Sequence, residues 1–542
     1  MLDIDIKGTT HSMDKDRIFP PLPLGTSTFS ALRLNGEIYV DKTRLIYSLC
    51  SKPGKVFLAR PRRFGKSLLV STFHSLFKYG VREFSGLAIE SVWHERRYPV
   101  VWLDFSELGS CDSPHDFETE FRRLVCENFA DAGYEGEPDW LQFSRWLAGQ
   151  PMRSIVLLID EYDAPLTACL NDPALFEEIQ NILGKFFRTL KSKEGALRFF
   201  FMTGITKFAN TGIFSGFNNL QDITLDPQYG ALLGYTEKEI RDSFSSHLSR
   251  AADVLKRTEQ SIVEELRLRY NGFCFDEEAS VRVFCPWSVL NFFNQPARGF
   301  QNYWYRSGGR PAVLMEYLRS HPLDNPASYG RPQPLMLSAL EASNTLNDLP
   351  LVSLLVQTGY LTIKERALEG LLVVGYPNRE VSDSMAQLYA DELLRGADRL
   401  AIGLPGIEGT LANGSLEEVV SLFNRVFSAI DYDRYPIRDE ASCRAFLQVL
   451  LIGAAMMPEV EVHNAHGRSD LEVEAGPRRW VFEIKFARSE SHTQKLLAEG
   501  VAQLKARRYG EAAPLLSGAG VKSAVLVFSG EKRRFTASTA VS

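Results

Sequence analysis

The stretch "LARPRRFGKSLL" (residues 58–69) closes like a phosphate-binding loop and opens unlike one. Gly65-Lys66-Ser67 supplies the end of the pattern G-x-x-x-x-G-K-[ST]. In that pattern backbone N–H groups and a helix N-terminus face an anion, the lysine adds charge, and the hydroxyl holds Mg²⁺. Where the pattern has its first glycine this chain has Arg60, followed by Pro61, Arg62 and Arg63. Without that glycine the turn loses backbone freedom, so Arg60 and Pro61 must set a different loop path. The guanidinium groups of Arg62 and Arg63 can offset this by pairing with phosphate oxygens. The context suits the motif: the apolar run "KVFLA" (55–59) precedes the loop, and the apolar helical segment "GKSLLVSTFHSLF" comes after it.

Outward from the loop, apolar runs recur: "VVWLDFS" (100–106), "IVLLIDE" (155–161), "RFFFMTG" (198–204) and "DITLD" (222–226). They read as strands buried on both faces. Between them lie segments with apolar residues at helical spacing, so the alternation predicts a parallel sheet with helices on both sides. "IVLLIDE" puts Asp160 and Glu161 at the C-terminal end of a buried strand. There an aspartate can order Mg²⁺ and the adjacent glutamate can polarise an attacking water. "VVWLDFS" falls between the two motifs in the chain, the order of P-loop proteins with an additional central strand. Thr203, at the end of the next strand, is placed to sense a γ-phosphate. The expected ATP site is therefore Arg60, Arg62, Arg63, Gly65, Lys66, Ser67, Asp160 and Thr203. Ser67 and Asp160 serve the metal, and Glu161 is the catalytic carboxylate.

A second constellation lies in "SDLEVEAGPRRWVFEIKF" (469–486). Folded as a hairpin about Gly476-Pro477, it sets Asp470 opposite Glu483. Side chains two apart share a face, so Asp470, Glu483 and Lys485 cluster, while Trp480, Phe482 and Ile484 point to a core. Two carboxylates can hold Mg²⁺ or Mn²⁺. A metal there lowers the pKa of water and neutralises charge on a phosphodiester, and a lysine beside it can position the water. Glu472 and Glu474 read as solvent-facing, and His463 and His466 as loop residues. Nucleic-acid contacts would come from local cations such as Arg478, Arg479, Arg507 and Arg508.

Together, "YVDKT" (39–43), "RPRRFGKS" (60–67), "IDEYDAP" (159–165), "TGITKF" (203–208) and "FSGFNNLQDITLD" (214–226) resemble the bacterial AAA-ATPase-like family. "YNGFCFD", "CPWSVLNFF" and "NYWYRSGG" are similar to its middle region. The resemblance implies that the absent glycine is a family trait. It also implies a C-terminal domain of the PD-(D/E)XK nuclease superfamily, matched here by Asp470, Glu483 and Lys485, with Ser469 in place of the proline. That superfamily further implies Glu440, on the preceding helix, as an additional acidic metal ligand. It implies Gln503 as a supporting residue and Tyr509 beside it, both on the next helix.

The expected fold is α/β throughout. A 1–16 tail precedes an AAA-like P-loop domain (17–234), a mainly helical middle or lid region (235–435) and a PD-(D/E)XK-like domain (436–542). The 542 residues carry a net charge of -6, so no global basic field marks nucleic acid as a partner. The pairing of the two sites nevertheless predicts a nucleic-acid partner, DNA rather than RNA, and is compatible with a homo-oligomer. Seven cysteines without a C-x-x-C pair point away from a disulfide framework or zinc ribbon. The N-terminus lacks an apolar signal core. The longest apolar run, "FLQVLLIGAAMM" (446–457), is too short to span a bilayer and reads as a buried helix. A cytoplasmic protein with no membrane contact is expected.

Overall fold

The computed structural model describes residues 19–109, 113–170, 172–207, 219–308, 312–320, 332–341, 350–393, 406–430, 432–433, 435–454, 456, 458–460, 463–464, 467–507 and 520–541. The apolar runs around the phosphate loop form strands β1 (Gly54–Ala59), β2 (Val100–Asp104), β3 (Ile155–Asp160), β4 (Leu197–Gly204) and β5 (Gln221–Asp222). All pair in parallel, in the order β2-β3-β4-β1-β5. Every residue of β3 and β4 is buried, because alternate side chains feed two cores. Val56, Leu58, Phe199 and Phe201 join one. Phe57, Leu157, Ile159 and Phe200 join the other, under helices Pro114–Phe129 and Pro173–Ser192.

The expected additional central strand is present: β4 lies between the phosphate-loop strand β1 and the "IVLLIDE" strand β3, and "VVWLDFS" forms the edge strand β2. Chain order cannot reveal this, because crossovers decide spatial order. "DITLD" contributes only its first residue to β5; Asp222 and Asp226 then accept backbone N–H groups and turn the chain.

Helix α1 (Lys66–Tyr79) starts directly after Gly65, which adopts a left-handed φ of 90°. The middle region is helical as expected. In it α2 (Pro286–Asn294), the short α3 (Tyr303–Gly308) and α4 (Arg379–Leu393) pack one against the next. It also holds an unexpected antiparallel sheet, β6 (Gln333–Met336), β7 (Thr362–Leu368) and β8 (Leu371–Gly375), in the order β6-β8-β7.

The run "FLQVLLIGAAMM" lies largely in helix α5 (Glu440–Gly453). It is apolar on most sides because two cores claim it. Phe446, Leu447, Leu450 and Leu451 face the C-terminal core, whereas Val449 and Ile452 pack with Val381, Met385 and Leu388 of α4. The C-terminal core begins earlier than residue 436, with Ile407, Leu411, Val419 and Phe423. Its mixed sheet runs β15-β14-β13-β12-β9. The members are β9 (Glu459–Val460), β12 (Leu471–Ala475), β13 (Arg478–Ala487), β14 (Gly520–Ser529) and β15 (Arg534–Val541). The small pair β10 (His463–Asn464) and β11 (Gly467–Arg468) stands apart from it. Helix α6 (Thr493–Arg507) crosses between the parallel strands β13 and β14. The final strand β15 is not an expected element; its small, polar residues lack an apolar period.

The six described cysteines, Cys50, Cys126, Cys169, Cys274, Cys285 and Cys443, are buried and form no disulfide. Among the described residues no helix is long and apolar enough to cross a membrane.

Candidate functional sites

The first site is a cleft of about 600 Å³ above the phosphate loop, lined by Arg62, Arg63, Gly65, Lys66, Ser67 and Glu161. Lys66 is buried, and its ammonium donates to the Arg60 and Pro61 carbonyls at 3.1 and 3.3 Å. Burial lowers its pKa, against the pull of Asp163, Asp160 and Glu161. Asp160 ends β3 beside Asp104 of β2. Burial raises its carboxyl pKa, while the nearby Ser67 hydroxyl acts the other way. Ser67 thus stands near Asp160, and a hydroxyl with a carboxylate suits Mg²⁺. Glu161 takes a left-handed φ of 46°, and burial raises its pKa too. A non-glycine residue there stores strain of about 1–2 kcal/mol, a common feature of functional positions. The rest of the cleft is largely apolar, with Ile38, Val40 and Leu290 on its wall. These residues fit a magnesium nucleotide.

Two expected members are elsewhere. Arg60 is 1% exposed and does not line the cleft. Its Nη1 donates to the carbonyls of Ala59 and Thr224 at 2.9 and 2.6 Å, and its guanidinium lies 4.5 Å over the Phe275 ring. Burial brings its pKa down to about 9. It anchors the loop rather than a phosphate. Thr203 is fully buried, and its hydroxyl donates to the Leu58 carbonyl at 2.7 Å, within the sheet. Arg62 has no hydrogen-bond or ion-pair partner among the described residues, so it is the loop cation open to a phosphate.

At the second site the hairpin register is as expected: Leu471 pairs with Phe482 and Ala475 with Arg478. Asp470 therefore arrives beside Glu483, with its Oδ2 accepting the Ile484 N–H at 2.8 Å. Lys485 Nζ stands 2.8 Å from Glu483 Oε1, 3.1 Å from Gln503 Oε1 on α6, and 3.9 Å from Glu440 Oε2 at the start of α5. Burial, then the nearby Asp470 charge, pushes the Glu483 carboxyl up to about 7 despite Lys485. Burial is the largest single influence on Lys485 and lowers its pKa, but the Glu483 hydrogen bond and the charges of Glu483, Glu440 and Asp470 together outweigh it, so the net direction is upward. Burial also raises Glu440. Glu483 Oε2 is buried with no hydrogen-bond partner. A buried carboxylate oxygen with an unused lone pair is costly unless something else takes it, and a divalent cation held with Asp470 would do so.

The three-carboxylate set is not assembled. Among the described residues no three acidic, histidine or cysteine side chains meet at metal-ligating spacing, and Glu440 approaches the site through Lys485. Glu472, expected in solvent, is 3% exposed, and Arg479 donates to it at 2.6 and 2.9 Å. Arg479 also bonds Glu474 and Glu459, so it is no free cation for nucleic acid. Arg478 is engaged by the Gly414 and Asn413 carbonyls. The side chain of Arg507, and Arg508, Tyr509 and His466, lie outside the described residues, as does the side chain of His463. One neighbour is absent from the expected set: Arg444, whose Nη1 is 3.5 Å from Asp470 Oδ1. Its signal is present in the sequence, since it comes four residues after Glu440 and shares its helix face.

Comparison with known proteins gives two family matches, "Predicted AAA-ATPase" over residues 23–214 and "PD-(D/E)XK nuclease superfamily" over residues 439–537. A protein of Azotobacter chroococcum mcd 1, described as "Uncharacterized protein in vnfD 5'region", is 30% identical over 504 residues. That similarity covers 90% of this chain and 93% of the relative.

Proposed function

The chain belongs to the AAA-ATPase-like family and carries a C-terminal domain of the PD-(D/E)XK nuclease superfamily, and from that premise we propose that it binds and hydrolyses ATP and cleaves nucleic-acid phosphodiesters, DNA in the first instance, in the cytoplasm. The observation that carries the reading is the convergence of Lys66, Ser67 and Glu161 in one cleft, with Asp160 near Ser67. Lys66 and Arg62 would hold the terminal phosphates. Ser67 and Asp160 would hold Mg²⁺, which neutralises charge on the transferred phosphoryl group. Glu161, raised by burial, is suited to accept the proton of the attacking water.

At the second site Asp470 and Glu483 would hold Mg²⁺ or Mn²⁺, and Lys485, fixed by Gln503, would orient water at the phosphodiester. Cleavage is supported by the unpartnered Glu483 oxygen and by the short Lys485 contacts. The experiment is cleavage of labelled single- and double-stranded DNA and RNA with Mn²⁺, with and without ATP, beside Glu483→Ala/Lys485→Ala and Lys66→Ala. Cleavage abolished by the double substitution, and ATP turnover abolished by Lys66→Ala, are the expected results. ATP turnover without cleavage of any substrate would leave an ATP-dependent switch whose C-terminal domain only binds.

A further inference from the structure

Four of the five bulky residues of the phosphate loop, all but Arg62, have a structural destination. Arg60 is fixed by carbonyls beyond β5. Pro61 wedges against Gly359, where an added Cβ would come within 2.9 Å of the proline ring and 3.5 Å of Trp304. Phe64 packs edge-on to Phe273 and Phe275, with both centroids at 4.9 Å. Arg63 reaches furthest. Its guanidinium lies 4.3 Å over the Trp287 ring of α2, and Nε and Nη2 both donate to the Ser307 carbonyl, at 2.8 and 2.5 Å. It holds a left-handed φ of 70°, and it lines the nucleotide cleft with Lys66, Ser67 and Glu161.

Ser307 is in the last turn of α3, where carbonyls lack helical partners and attract cations. The other end of α3 is also held from outside. Glu380 of α4 accepts the Tyr303 and Trp304 N–H groups at 2.6 and 2.9 Å and the Ser288 hydroxyl of α2 at 2.7 Å. One turn along α4, Asp383 accepts from Asn302 and from Gln448 of α5. Helix α5 begins with Glu440, 3.9 Å from Lys485. Hydrogen bonds, stretches of α3, α4 and α5, and the Glu440–Lys485 ion pair therefore join the phosphate loop to the second site.

We propose that Arg63 is a positioning residue that reads the terminal phosphate: with a triphosphate in the cleft its guanidinium exchanges the Ser307 carbonyl and the Trp287 face for phosphate oxygens, and releases α3 and α4. The exchange trades a neutral acceptor for a charged one, adding ion-pair attraction and the bidentate geometry that guanidinium makes with phosphate. A diphosphate offers no terminal group at that reach, so Arg63 stays on Ser307. The proposal rests on the reading of the cleft as an ATP site, and its test separates the two.

Full-length protein is titrated with Mg-ADP and with a magnesium complex of a non-hydrolysable ATP analogue, by calorimetry and by tryptophan emission. Trp287→Phe identifies the part of the signal that comes from Trp287. The expected result is an emission change with the ATP analogue, absent with ADP and absent in Trp287→Phe. Arg63→Gln should weaken the analogue about tenfold, equivalent to about 1.4 kcal/mol, and ADP less than about twofold. Arg63→Lys keeps the charge but not the forked donor, and it should lose the emission change while remaining folded. Equal losses for both nucleotides, or a Trp287 response that survives without Arg63, would overturn the proposal and leave the ATP site standing. Absence of binding by either nucleotide in the parent protein would overturn the cleft reading and the proposal together.

Discussion

Substituting Glu380 by glutamine should make the protein more stable at neutral and alkaline pH. Glu380 is fully buried, and burial pushes its carboxyl from an ordinary value of 4.5 up to about 7, even though Ser288 and the Tyr303 and Trp304 N–H groups favour the charged form. Asp383 is raised in the same direction, to about 6, by burial opposed by Arg379 and Arg269. A carboxyl whose folded pKa lies above its unfolded one binds protons more tightly when folded. Its stabilisation is complete below the unfolded value and is lost as pH rises through the folded one. The parent protein should therefore lose stability from about pH 4.5 to 7, by about 3 kcal/mol from Glu380 alone. Glutamine keeps the Oε1 acceptor for both N–H groups and presents an amide to Ser288, whose hydroxyl can turn to accept. Glu380→Gln should then keep only the Asp383 dependence, below about pH 6, and gain up to about 3 kcal/mol at pH 8. Urea denaturation across pH 5–8.5 reads both, followed in the transition that Trp304→Phe identifies. A parent midpoint that is flat across this range, or an equal slope in Glu380→Gln between pH 6 and 7.5, would refute the reasoning.

Gly359→Ala combines a φ of +88° with a Cβ 2.9 Å from Pro61, so it should destabilise by about 1–3 kcal/mol; thermal melts of the full chain check this, and Pro61→Ala should recover part of the loss. Arg479→Met strands the buried Glu472 carboxylate and should cost about 3–5 kcal/mol while leaving the salt dependence of nucleic-acid binding unchanged; a flatter salt slope in a filter-binding assay would return Arg479 to the nucleic-acid surface. Lys485→Met should lower Mn²⁺-dependent cleavage at least about a hundredfold, and cleavage at the parent rate would remove Lys485 from the chemistry.

The sites are legible in the sequence where chemistry and period coincide locally. Gly65-Lys66-Ser67 opens a helix after an apolar strand, and "IVLLIDE" ends a strand in two carboxylates, so side-chain type and position arrive together. The hairpin register comes from the turn at Gly476, because one pairing fixes every other. What is not legible depends on distant partners. Nothing near Arg60 announces that the Thr224 and Tyr229 carbonyls will receive it. The alternation around Glu472 shows a polar face but not that Arg479 covers it in an ion cluster. That cluster continues through Glu459 to Arg379 and Arg269 of the middle region. A diagonal acid–base pair across the hairpin is the hint the sequence offers. Strands β7 and β15 lack a clean two-residue period, and each has a shift in register, which blurs the pattern further.

The departure at the start of the phosphate loop arises from the same distant contacts. A glycine-rich loop keeps its backbone free to adapt to the anion. Here a left-handed turn is still made, but by Arg63 as well as Gly65. A side chain in that conformation costs about 1–2 kcal/mol, which two hydrogen bonds to Ser307 and the Trp287 stack can offset. The loop gives up freedom and gains attachment: Arg60, Pro61, Arg63 and Phe64 each bind it to residues beyond β5, and Arg62 alone is left facing the cleft without a partner among the described residues. Any change in this loop on nucleotide binding must act on those attachments, and so on the helices that lead to the second site.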